Sequence, residues 1–94
     1  SVHRLELEND IWFGSFETWE GEENAIVDQY YDLVTGLPVE LRLIWDRALK
    51  RVFDFGYESG DTPGSFQSQL SQKSISKLKE LRVSVTITIS PANT

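Results

Sequence analysis

Six carboxylates fall between residues 17 and 32: Glu17, Glu20, Glu22, Glu23, Asp28 and Asp32, with Trp19 and Tyr31 among them. Carboxylates this dense can collect a hard cation, work as a general acid and base, or present negative charge to a cationic partner. A calcium loop needs ligands at alternate positions, a central Gly and a distal Glu, and the spacing here differs. Paired-carboxylate hydrolysis uses a deep cleft, for which a 94-residue chain with short helices has little room. The third use fits best. Large aromatics beside acids are the composition of an interface that anchors on a basic protein.

Other chemistries lack their residues. His3 is the single histidine and lies close to the chain start, where a general base is poorly held, so it reads as a surface residue. The chain has no cysteine, which removes the usual zinc and thiol arrangements. The Gly-rich run from Gly56 to Ser65 lacks a following lysine and contains Glu58 and Asp61, which repel phosphate. No catalytic residue, metal or cofactor is therefore expected.

The charge is split along the chain. Residues 1–40 carry ten acids and one base, whereas residues 41–94 carry eight bases and five acids. The net −6 disfavours nucleic acid and anionic membranes and suits a basic protein partner. The bases Arg42, Arg47, Lys50 and Arg51, and again Lys73, Lys77, Lys79 and Arg82, read as complements to the acids within the chain. No stretch approaches the ~20 apolar residues of a membrane span. A soluble, cytoplasmic protein is the expectation. The lack of methionine, even at Ser1, reads as a trimmed start.

These residues must be positioned by secondary structure. Alternation predicts strands over 2–8 and 11–18, joined by a turn at Glu8-Asn9-Asp10. Gly14 marks a bulge or a close packing contact. From residue 22 the period becomes helical, with Ile26, Val27, Tyr30, Tyr31, Leu33 and Val34 on one side, which predicts a helix over 22–34 that stops at Gly36. Residues 38–55 fit a helix with the stripe Leu41, Ile44, Trp45, Ala48, Leu49, Val52 and Phe55. They also fit two strands, through Leu37 to Trp45 and Phe53 to Tyr57. The strand reading needs a turn at Asp46–Lys50 without Gly, Asn or Pro, so helix is preferred. Residues 56–65 form a loop, and 65–74 are weakly structured. Ser74 caps a short helix with Ile75, Leu78 and Leu81. The strand over 81–90 alternates most clearly, with Leu81, Val83, Val85, Ile87 and Ile89 facing the core and hydroxyls facing out.

The expected fold is one α+β domain over 1–94: a small, mostly antiparallel sheet of about three strands, with two to three helices packed on one face. The expected function is non-catalytic binding by an inhibitor or immunity-type protein that blocks a basic partner such as a nuclease or toxin. Glu17, Trp19, Glu20, Glu22, Glu23, Asp28, Tyr31 and Asp32 form the partner-binding set. The alternative is an oligomerising or scaffold subunit that pairs through strand 81–90 or through its oppositely charged parts. A small hydrolase using the acidic cluster ranks third. The run Asp32-Leu-Val-Thr-Gly36, with Trp45 and the Thr86-Ile-Thr-Ile-Ser90 ending, resembles parts of barstar-type ribonuclease inhibitors. That resemblance covers scattered residues, departs in spacing, lacks the helix expected after the first strand, and carries no site.

Overall fold

The computed structural model describes residues 3–19, 21–58 and 67–90. Within them the order is β1 (His3–Glu8), β2 (Ile11–Glu17), α1 (Glu23–Thr35), α2 (Val39–Arg47), β3 (Lys50–Glu58), α3 (Gln72–Leu81) and β4 (Ser84–Ser90). The fold is α+β, but the sheet is mixed rather than mostly antiparallel. Its order is β1-β2-β3-β4, and only β1 and β2 run antiparallel. The β2–β3 and β3–β4 pairs are parallel because each is joined by a helical crossover.

The hairpin between β1 and β2 forms as its sequence predicts. Asn9 and Asp10 both take positive φ, which is the conformation of a tight two-residue hairpin turn. Gly14 is the close packing contact: a Cβ there would lie 2.6 Å from the Phe16 ring and 3.0 Å from Phe53. Its bare backbone admits both rings.

The core lies on one face of the sheet. Register places Phe16 beside Phe55 and Gly14 beside Phe53. These strand residues and Tyr57 meet Ile26, Val27, Tyr30 and Val34 of α1, Trp45 of α2, and Leu78 and Leu81 of α3. Each fully buried aromatic here contributes about 2–3 kcal/mol of transfer free energy. Phe16 sits 4.9 Å from Tyr30 and 5.2 Å from Phe53 between ring centroids, so the rings interlock in tilted and edge-on pairs.

The segment 38–55 is neither one helix nor two strands. It divides into α2 and β3 at Ala48 and Leu49, so each reading holds for half of it. The break needs no turn residue because tertiary bonds supply it. Arg51 is buried and donates to Trp45 O (2.9 Å) and Ala48 O (3.1 Å), while Leu49 N donates to Asp10 O (2.8 Å). Arg51 Nε also donates to Arg82 O (3.1 Å), and Trp45 Nε1 to Leu81 O (3.2 Å). One guanidinium thus caps the C-terminal ends of two helices. The expected basic helix face is divided accordingly, with Arg42 and Arg47 on α2 and Lys50 and Arg51 on β3.

Three further expectations change. The last short helix is capped by Ser71, whose Oγ accepts from Ser74 N (3.1 Å), so Ser74 lies inside α3. The strand expected over 81–90 begins only at Ser84, because Leu81 closes α3; β4 alternates as predicted, but none of its residues is buried. The predicted loop 56–65 begins inside β3, and 59–66 lie outside the described residues.

Candidate functional site

The parallel strands β2, β3 and β4 end together at Glu17, Glu58 and Ser90. In open sheets with parallel strands, this end is where ligand crevices form. A cleft of about 320 Å3 lies here, lined by Glu17, Thr18, Trp19, Gly56, Tyr57, Glu58 and Ser90. Its floor is fixed: Thr18 is buried, its N donates to Gly56 O (2.8 Å), and its Oγ1 donates to Phe16 O (2.9 Å).

Trp19 stands at the rim, 65% exposed. Its backbone is closed into a turn with Glu22. Trp19 N donates to Glu22 Oε1 (3.1 Å), and Glu22 N donates to Trp19 O (3.0 Å). A large indole is thus held out to solvent on a fixed main chain, with Glu17 and Glu22 beside it.

Glu23 and Asp28 of the expected set are engaged within the molecule. Glu23 is only 1% exposed. Its carboxylate accepts from Tyr57 Oη (2.8 Å), from Ser68 Oγ and from Gln69 N (3.2 Å). Burial pushes the Glu23 carboxyl up, but the bonds from Ser68, Tyr57 and backbone N–H groups outweigh it and leave its pKa below the ordinary 4.5. Burial and the same carboxylate push the Tyr57 hydroxyl up to about 12. Next along the helix, Asn24 Oδ1 accepts from Ser71 N (2.9 Å) and Ser74 Oγ (2.8 Å), and its Nδ2 donates to Gln69 O (3.2 Å). The first turn of α1 is a latch on residues 68–74. Glu23 therefore leaves the surface set.

Asp28 and Tyr31 lie further along α1, against α3. Lys77 Nζ is 2.7 Å from Asp28 Oδ1 and 5.0 Å from the Tyr31 ring centroid. The hydrogen bond from Lys77 holds the Asp28 carboxyl below its ordinary value and raises the Lys77 ammonium in turn. The Glu80 carboxylate raises the Tyr31 hydroxyl. Asp32 is exposed on the same helix, nine positions and so about 13 Å of helix beyond Glu23. Glu20 lies outside the described residues. The eight expected contacts therefore do not form one patch. Glu17, Trp19 and Glu22 come together at the strand ends, joined by Glu58, which charge counting along residues 17–32 could not find. Parallel pairing of β2 with β3, unreadable from either strand alone, brings it there.

Among the described residues, no group of three or more His, Cys, Asp or Glu side chains converges as a metal site would require. No helix among them is long and apolar enough to cross a membrane. No family model, characterised protein or solved structure matches this chain.

Proposed function

We propose that this chain is a non-catalytic protein-binding domain whose acidic strand-end face covers a basic partner, as an inhibitor or immunity protein covers a nuclease. The observation that carries the reading is Trp19, an indole two-thirds exposed on a backbone tied at both ends to Glu22. Burying such a ring against a partner is the usual role of an aromatic hot spot, and little ordering remains to be done on binding. Glu17, Glu22 and Glu58 around it would steer a cationic surface into place and speed the encounter.

The test is capture from extract of the native host on immobilised wild type and on Trp19→Ala, eluted with a salt gradient. The expected result is a basic protein that elutes as salt rises and is lost from the Trp19→Ala column. Equal retention on both columns, or retention indifferent to salt, refutes the reading.

A further inference from the structure

The two edges of the sheet are finished differently. Edge strand β1 carries Arg4, Glu6 and Glu8, with Arg4 Nε 3.2 Å from Glu6 Oε1. Charged side chains along an edge oppose the addition of another strand. Edge strand β4 reads Ser84-Val-Thr-Ile-Thr-Ile-Ser90 and carries no charge. One side of it pairs with β3, and no strand among the described residues pairs with the other. Its register puts Val85, Ile87 and Ile89 on the helix side of the sheet, level with Phe53, Phe55 and Tyr57. The helices stop short of them, leaving these side chains 38%, 60% and 55% exposed.

We propose that β4 is a self-association edge, at which two copies of the chain pair their β4 strands antiparallel about Ile87 to form one continuous sheet. The sequence of the strand is nearly a palindrome. Antiparallel pairing sets Ser84 opposite Ser90 of the second copy, Val85 opposite Ile89, Thr86 opposite Thr88, and Ile87 opposite itself. Hydroxyl thus meets hydroxyl and aliphatic meets aliphatic, and such cross-strand pairs are favourable. A two-fold axis perpendicular to the sheet keeps all six aliphatic side chains on one face, where they cover one another.

Charge selects the direction. Exposed Arg82 stands just before β4, and exposed Glu58 stands one strand inward, on β3, in register with Ser90. Antiparallel pairing sets Arg82 of one copy at the end of the sheet where Glu58 of the other stands, with β4 between them, twice by symmetry. Parallel pairing would set like charges together. A second copy is thus complementary to this edge in pattern and in charge. Strand pairing alone buries less than the ~800 Å2 per partner of a standard stable interface, so the dimer is weak and depends on concentration.

Sedimentation equilibrium from micromolar to millimolar concentration tests this. The wild type is expected to rise toward the mass of two chains. Ile87→Lys places two ammonium groups at the two-fold axis and is expected to stay monomeric, with an unchanged far-ultraviolet circular dichroism spectrum because the position is exposed. Glu58→Arg and Arg82→Glu are each expected to weaken the dimer by about threefold to tenfold, and the double variant to regain it. The chain has no cysteine, so Ile87→Cys should form a disulfide-linked dimer under mild oxidation, whereas Leu7→Cys on β1 should not. A wild type that remains monomeric at millimolar concentration leaves β4 to a strand from another protein and overturns the proposal. An Ile87→Lys variant that dimerises like wild type overturns it too, and a double variant as weak as the singles rejects the antiparallel register. Trp19→Ala should dimerise normally, so this result is separable from loss of the proposed partner.

Discussion

Glu22 and Glu23 belong to two acidic regions that meet at the start of α1, one turned outward and one inward. Half-buried Glu22 holds the backbone of exposed Trp19, with Glu17 and Glu58 on the exposed rim of the same cleft. Glu23, one residue later, is sealed beneath residues 68–69 and accepts three hydrogen bonds from groups distant in sequence. The helix turns each residue by about 100° from the last, which suffices to send adjacent carboxylates to opposite environments. The lesson is that formal charge per segment does not measure surface charge. The outward acids can act on a partner, while the inward one organises its own fold.

The largest effect that would break this contrast is on stability. Glu23→Ala removes the buried acceptor shared by the Tyr57 hydroxyl, the Ser68 hydroxyl and the Gln69 N–H, and is expected to cost about 2–4 kcal/mol in urea unfolding. Glu22→Ala should stay within about 0.5 kcal/mol. Equal costs would erase the distinction. Asn24→Ala releases the other half of the latch and should cost about 1–2 kcal/mol, again read from the urea midpoint.

The pH dependence sharpens the same contrast. Glu23 has a lowered pKa in the fold, so its contribution is present above the ordinary 4.5 and is lost as pH falls through the lower folded value. Tyr57 has a raised pKa, so its contribution is intact below the ordinary 10 and is lost as pH rises toward about 12. Stability measured against pH should fall on both flanks. Glu23→Gln should flatten the acid flank, and Tyr57→Phe the alkaline one. An acid flank unchanged in Glu23→Gln would assign it to other carboxylates. The smallest stability effect belongs to Trp19→Ala, expected within about 0.5 kcal/mol because the indole is mostly in water. A larger loss would show that the ring serves the fold rather than a partner.

Much of the local structure was legible. The helix expected over 22–34 is present because its apolar period is unambiguous, and the Asn9-Asp10 turn is written in residues that tolerate positive φ. The direction of the sheet was not legible. Whether β3 runs with or against β2 depends on how α1 and α2 cross the sheet, and no local pattern encodes that. The division of 38–55 was hidden for a related reason. Gly, Asn and Pro are the usual marks of a break, and here carbonyl and N–H partners from Arg51 and Asp10 replace them. The site was half legible. Exposure of Trp19 could be read from its place at an acidic joint. The burial of Glu23 depends on Tyr57 and Ser68, more than thirty residues away.

Arg51 also sets an order on how the molecule can be completed during synthesis. Its acceptors Trp45 O and Ala48 O precede it in the chain, so the end of α2 can close onto β3 as soon as these residues emerge. Its third acceptor, Arg82 O, is made 31 residues later. Until then the guanidinium is a cation in a half-built pocket, where water must serve in place of a carbonyl. The domain therefore has a last keystone. A nascent chain that stops before Arg82 lacks β4 and also leaves the junction of its earlier helix and strand unfinished.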